Sequence, residues 1–161
     1  MANLTITLQE QIKLPNNNIE KTTNIKTITG VNQTTRKIDT ISTTFSGSGV
    51  EILKFVDSEA QQTAGSFVKS DVKYIRITNI DSTNKVTLYI LQTDAESVLF
   101  DLEAGKTFML GNAEFNASQV GDYVVDGYVD ETYYSSFTNF DTIKAKANTS
   151  DIQLEYFVAS S

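Results

Sequence analysis

Apolar and polar positions alternate with a period of two along most of this 161-residue chain, the signature of half-buried β-strands. The clearest instance is KYIRITNIDSTNKVTLYIL, residues 73 to 91. Ile75 and Ile77 fall on one side, and Tyr74, Arg76 and Thr78 on the other. After a polar connection, Val86, Leu88 and Ile90 share a face opposite Thr87 and Tyr89. Asn79, Asp81, Ser82 and Asn84 lie in that connection, and such side chains bond the local backbone in turns. The pattern predicts two antiparallel strands forming a hairpin, with Ile75, Ile77, Val86, Leu88 and Ile90 as core. The connection is longer than a two-residue tight turn, so register is not given by turn type.

The same alternation recurs. In residues 97 to 110, Val98, Phe100 and Leu102 share parity with Phe108 and Leu110, and EAGK places Gly105 where a turn can require positive φ. Ile152, Leu154, Tyr156 and Val158 alternate with Gln153, Glu155 and Phe157 after the turn-like NTSD. Val50, Ile52, Leu53 and Phe55 follow the SGSG of residues 46 to 49, and Leu4, Ile6 and Leu8 alternate with Thr5 and Thr7. No sustained helical stripe is present beyond a short turn around Asp57 to Ala64. Threonine occurs 21 times, and β-branched side chains suit a pleated surface. Eight to ten short strands predict a single-domain, all-β antiparallel sandwich, of jelly-roll type or else a Greek-key barrel.

Residues 15 to 37 differ in texture. Their few apolar residues (Ile19, Ile25, Ile28, Val31) sit among Asn and Thr, so the stretch buries little on its own. It reads as an extended arm or loosely held edge ordered by a partner, or as a strand with a solvated face. The division that follows is an N-terminal strand and extended arm over 1–37 and a β-sandwich over 38–161.

Composition narrows the chemistry. One Pro, eight Gly, 40% hydrophobic residues and a mean hydropathy of -0.21 describe a soluble globular chain. No apolar run approaches the roughly 18 residues needed to span a bilayer, and MANLTITLQE shows no secretory signal pattern. The net charge of -7 counts against nucleic-acid binding. Charge is uneven: residues 1 to 40 carry five basic groups against three acidic, while residues 91 to 131 carry nine acidic groups against Lys106 alone. That asymmetry marks either solvated faces or a bipolar subunit whose weakly basic arm meets an acidic neighbour.

With no His and no Cys, Ser-His-Asp triads, Cys-His dyads, disulfides, and His- or Cys-ligated metal sites cannot be built. What remains is carboxylate chemistry. In residues 121 to 134, Asp122, Asp126 and Asp130 would be strung along one side of a strand, with Glu131 beside them. They do not converge as a glycosidase pair, and the segment lacks the calcium-loop pattern. The oxygen-rich NIDSTN of 79 to 84 is a turn by composition, and SGSG lacks the lysine and following helix of a phosphate cradle. No catalytic, cofactor-binding or metal-ligating residue is assigned. Tyr123, Tyr128, Tyr133, Tyr134, Phe137 and Phe140 crowd a further stretch. Rings so placed form core, a subunit contact or a sugar platform.

KYIRITNIDSTNKVTLYIL, LFDLEAGKTFML and the closing DIQLEYFVAS together resemble small all-β virion structural proteins of tailed bacteriophages. The likeness is greatest to those of marine, cyanobacteria-infecting phages, and it covers residues 38 to 158. It implies a non-enzymatic, multicopy part of the virion, assembled in the host cytoplasm and forming homo-oligomers, often trimers. The role expected is a capsid decoration or cement subunit bound to the major capsid protein through residues 1 to 37. A receptor- or glycan-binding module of a head or tail fibre is the alternative, with the 123 to 140 loops at an exposed tip and a host glycan as ligand. A tail-tube or adaptor role is a third, structural option, and what counts against it is that such proteins often need long hairpins or helices for ring assembly.

Overall fold

The computed structural model describes residues 2–16, 18–44, 47, 49–92, 97–111 and 140–161. Among them the chain is all-β, in three sheets. Strands β1 (Ala2–Lys13) and β2 (Ile19–Val31) form a long two-stranded ribbon. A four-stranded sheet has the order β3-β11-β6-β9, from β3 (Gln33–Ile41), β11 (Ile152–Ser160), β6 (Val72–Asn79) and β9 (Thr107–Gly111). A five-stranded sheet has the order β5-β4-β10-β7-β8, from β5 (Ser66–Val68), β4 (Val50–Val56), β10 (Phe140–Ala147), β7 (Val86–Gln92) and β8 (Ser97–Leu102). The turn expected near Asp57 to Ala64 is a single 3₁₀ turn, Glu59–Gln61.

One hydrophobic cluster joins the four- and five-stranded sheets face to face. Ile41, Ile75, Ile77, Ile152, Leu154, Tyr156 and Val158 enter it from one sheet. Ile52, Leu53, Phe55, Val86, Leu88, Ile90, Ile143 and Ala145 enter it from the other. The predicted core positions 75, 77, 86, 88 and 90 are all at most 4% exposed. Consecutive burial of Ile52 and Leu53 breaks the alternation where the β4–β10 register slips by one, between Ile143 and Lys144, as a β-bulge does.

The hairpin expected over residues 73 to 91 does not form. Both strands exist, but β6 pairs with β11 and β9, and β7 pairs with β10 and β8. They face each other across the core instead of lying side by side. The same holds for β8 and β9, where Gly105 does adopt the positive φ expected, at 70°. The reason is physical: a strand beside its neighbour and a strand opposite it bury the same alternate residues. What selects the crossing here is the loop chemistry. Asn79, fully buried, donates from Nδ2 to the carbonyls of Asn84 (2.8 Å) and Leu102 (3.0 Å) and accepts from the Asp81 amide (3.1 Å). Its own amide and carbonyl bond Lys106 and Gly105, so one residue ties the two crossing loops together.

Antiparallel pairing is nested: β3 with β11, β4 with β10, β6 with β9 and β7 with β8. β3 follows β2 after Asn32 alone and runs through position 37/38, where composition divided arm from sandwich. Residues 15 to 37 are thus largely regular strand. β1 and β2 pair from Lys13–Ile19 back to Ala2–Val31, with a register shift near the base.

Candidate functional site

The ribbon is the least self-sufficient element. Its base is held: Leu4, Ile6 and Ile28, with Phe157, pack against a buried cluster of the ribbon's own Val31 and of Tyr74 and Ala159 from the outer face of the four-stranded sheet. Beyond the base its apolar residues are exposed among the described residues. Leu8 is 45% exposed, Ile12 56%, Ile19 59% and Ile25 68%. Alternation puts Leu8 and Ile12 on the same face as Leu4 and Ile6, so one apolar stripe runs from the packed base outward. From Ile6 to the turn the ribbon extends about 25 Å at roughly 3.3 Å per residue. An isolated two-stranded ribbon is at best marginally stable in water.

The sheet face beside the ribbon's base carries a charged cluster. In the β3–β11–β6–β9 register, Arg36, Phe157, Arg76 and Met109 form one outward row, and Ile38, Glu155, Thr78 and Thr107 the next. Glu155 is 7% exposed and accepts from both Arg36, whose Nε lies 2.8 Å away, and the Arg76 guanidinium. Arg76 also lies over the Phe157 ring at 5.8 Å, while its Nε is buried without an acceptor. Ile38 and Met109 are 50% and 42% exposed. Arg, Phe, Met and Ile around a buried carboxylate whose guanidinium partners reach solvent is the composition of an interface centre.

Hydrogen bonding by Arg36, reinforced by Arg76, holds the Glu155 carboxyl below the usual glutamate range. A carboxylate lowered in the folded state contributes stability that is complete above its unfolded value, near 4.3, and is lost as pH falls through the lower folded value. Glu155→Gln is therefore expected to cost about 2 kcal/mol at neutral pH, the worth of charged hydrogen bonds. The gap from wild type should narrow between neutral and acidic pH, as protonation of the glutamate on falling through its lowered folded value makes it as neutral as glutamine. Urea unfolding at the two pH values measures this; a gap that persists in acid contradicts it.

A second feature is a cleft of about 480 Å³ at the flank where β3 faces β4 and β5, lined by Thr35, Lys37, Asp39, Glu51, Lys54 and Tyr156 among others. The Tyr156 hydroxyl donates to Asp39 at 2.8 Å, and Lys37 Nζ lies 2.8 Å from the same oxygen. Burial, then the Asp39 bond, pushes the Tyr156 phenol up, and the Asp39 bond pushes the Lys37 ammonium up. Both stay protonated near neutrality, so neither is poised as a general base there.

The carboxylates Asp122, Asp126, Asp130 and Glu131 and the rings of Tyr123, Tyr128, Tyr133, Tyr134 and Phe137 lie outside the described residues. Phe140 falls in β10, its ring 6.0 Å from that of Phe55 and packed on the core. In the 79 to 84 turn, Asp81 Oδ1 accepts from the amides of Thr83 and Asn84, a turn-holding role. Of the outward residues of the 73 to 91 stretch, Tyr74 meets the ribbon's base and Arg76 meets Glu155; Tyr89, half-buried, belongs to the other sheet. No family model matches the chain, and searches of curated proteins and of solved structures return no match.

Proposed function

We propose that the chain is a non-enzymatic structural subunit of a tailed-phage virion, a capsid decoration or cement protein that works through protein–protein contacts. The observation that carries this reading is the β1–β2 ribbon, whose distal apolar residues are exposed among the described residues. A surface of that kind belongs to an assembly. Binding to the assembled shell stabilises it by mass action. The nested strand pairing supports the reading too: it is the order of a jelly roll, an architecture used by viral capsid domains. The shared architecture alone does not make the function. The length of the ribbon, twelve and thirteen residues in its two strands, also favours a second structural role, a ring-forming tail or adaptor subunit.

The test is co-sedimentation with emptied phage capsids stripped of accessory proteins. Wild type is expected to pellet with the shells, and the Leu8→Asp/Ile12→Asp double variant to stay in the supernatant while remaining folded by circular dichroism. Wild-type protein that ignores capsids but binds isolated tails would transfer the assignment to the adaptor role. Equal pelleting of both proteins would remove the ribbon from the mechanism.

A further inference from the structure

We infer that the ribbon's neighbour is a second copy of this chain, with the Leu8–Ile12 face lying on the outer face of that copy's four-stranded sheet. This rests on the structural-subunit reading and names the contact that builds the oligomer. Three observations carry it. The first is continuity. The ribbon face that bears Leu8 and Ile12 also bears Leu4 and Ile6, which already pack on the cluster formed with Tyr74 and Ala159 of that sheet. The face is matched to this surface, yet among the described residues of one chain the match stops at the base. On the sheet, the rows that follow Ala159 and Tyr74 carry Ile38, Phe157 and Met109; Phe157 is partly buried, while Ile38 and Met109 are exposed among the described residues.

The second is charge. On the distal ribbon, Glu10 and Glu20 share the Leu8–Ile12 face, with Ile12 paired directly to Glu20. The sheet rows present Arg36 and Arg76 around the single Glu155. An acidic apolar strip therefore meets an Arg-bearing apolar surface, an arrangement that fixes register as well as adding attraction. The third is size. The Leu8–Ile12 face beyond the base carries three cross-strand pairs, Leu8–Asn24, Glu10–Thr22 and Ile12–Glu20, about half a standard interface's area for one ribbon, so that two exchanged ribbons approach the area of a stable one. Each copy holds one ribbon and one receiving face, so reciprocal exchange closes a dimer, and head-to-tail exchange closes a ring.

Light scattering on purified full-length chains decides the matter. Wild type is expected as an oligomer. Leu8→Asp/Ile12→Asp, which spoils the ribbon, and Ile38→Asp, which spoils the face, are each expected to raise the dissociation constant by about a hundredfold or more and run as monomers. An equal mixture of the two variants should form a two-chain species, because one intact ribbon then meets one intact face. Met109→Asp replaces Ile38→Asp should the latter lose its native circular dichroism. Monomeric wild type overturns the inference. So does an oligomer that survives the face variants, since the ribbons would then be pairing with one another. An oligomer indifferent to capsids leaves this contact standing and removes the decoration role; a monomer that binds capsids does the reverse.

Discussion

Gly49→Ala is expected to be the most damaging single substitution among the described residues, costing about 4 kcal/mol or more. Two effects combine at this position. Gly49 has φ of 84°, a conformation that costs an L-residue roughly 1–2 kcal/mol. A Cβ built there would lie 2.6 Å from the carbonyl carbon of Ala145, closer still to its oxygen, and 2.9 Å from the Lys146 Cβ. Ala145 is fully buried in β10, the strand bonded on one side to β4 and on the other to β7. It cannot retreat without disturbing both pairings. The control is Gly105→Ala: φ is 70° and a Cβ would meet nothing within 4 Å, so only the conformational cost applies. Thermal unfolding should place Gly49→Ala roughly 10 °C or more below wild type and Gly105→Ala a few degrees below. Equal shifts for the two would show that β10 yields, and the steric argument would be lost.

These two glycines mark how far a sequence can be read. That Gly105 would need positive φ follows from its place in a short polar turn. That Gly49 tolerates no side chain follows only from β10 crossing it, about a hundred residues later in the chain. The same divide separates the rest. Alternation identifies which residues of β6, β7 and β11 face the core between the sheets, because facing is a property of each strand's own pleat. It is silent on partners, so the strands at 73 to 91 looked like a hairpin although they belong to opposite sheets. β2 is poor in apolar residues, so composition left arm and solvated strand equally open. Backbone pairing to β1 decides it, with threonines opposite one another, as at Thr5 and Thr27, filling the pleat as β-branched residues do. The Arg36–Glu155–Arg76 cluster joins positions 119 and 79 residues apart. No local pattern carries such a meeting; it exists only once β3, β11 and β6 are in register.

Asn79 explains why the chain crosses the sandwich at residue 80 instead of turning back, and its loss should be nearly as costly as that of Gly49. Asn79→Ala leaves the buried carbonyl of Leu102 and the half-buried one of Asn84 without this donor, at roughly 1–3 kcal/mol for each unsatisfied group, the lower end applying to Asn84. The expected total is about 3 kcal/mol, read as a lower urea midpoint with an unchanged slope. Asn79→Asp is the sharper variant. It has the same shape, but at neutral pH it sets a carboxylate oxygen against two carbonyl oxygens, and it should be less stable than the alanine variant. Asn79→Leu fills the space and supplies no donor, so it should rank with Ala, not with wild type. A leucine variant as stable as wild type would mean that packing, and not the amide's two hydrogen bonds, holds the crossing loops. The ranking wild type, then Ala and Leu together, then Asp arises only if donation from Nδ2 is what ties β6–β7 to β8–β9.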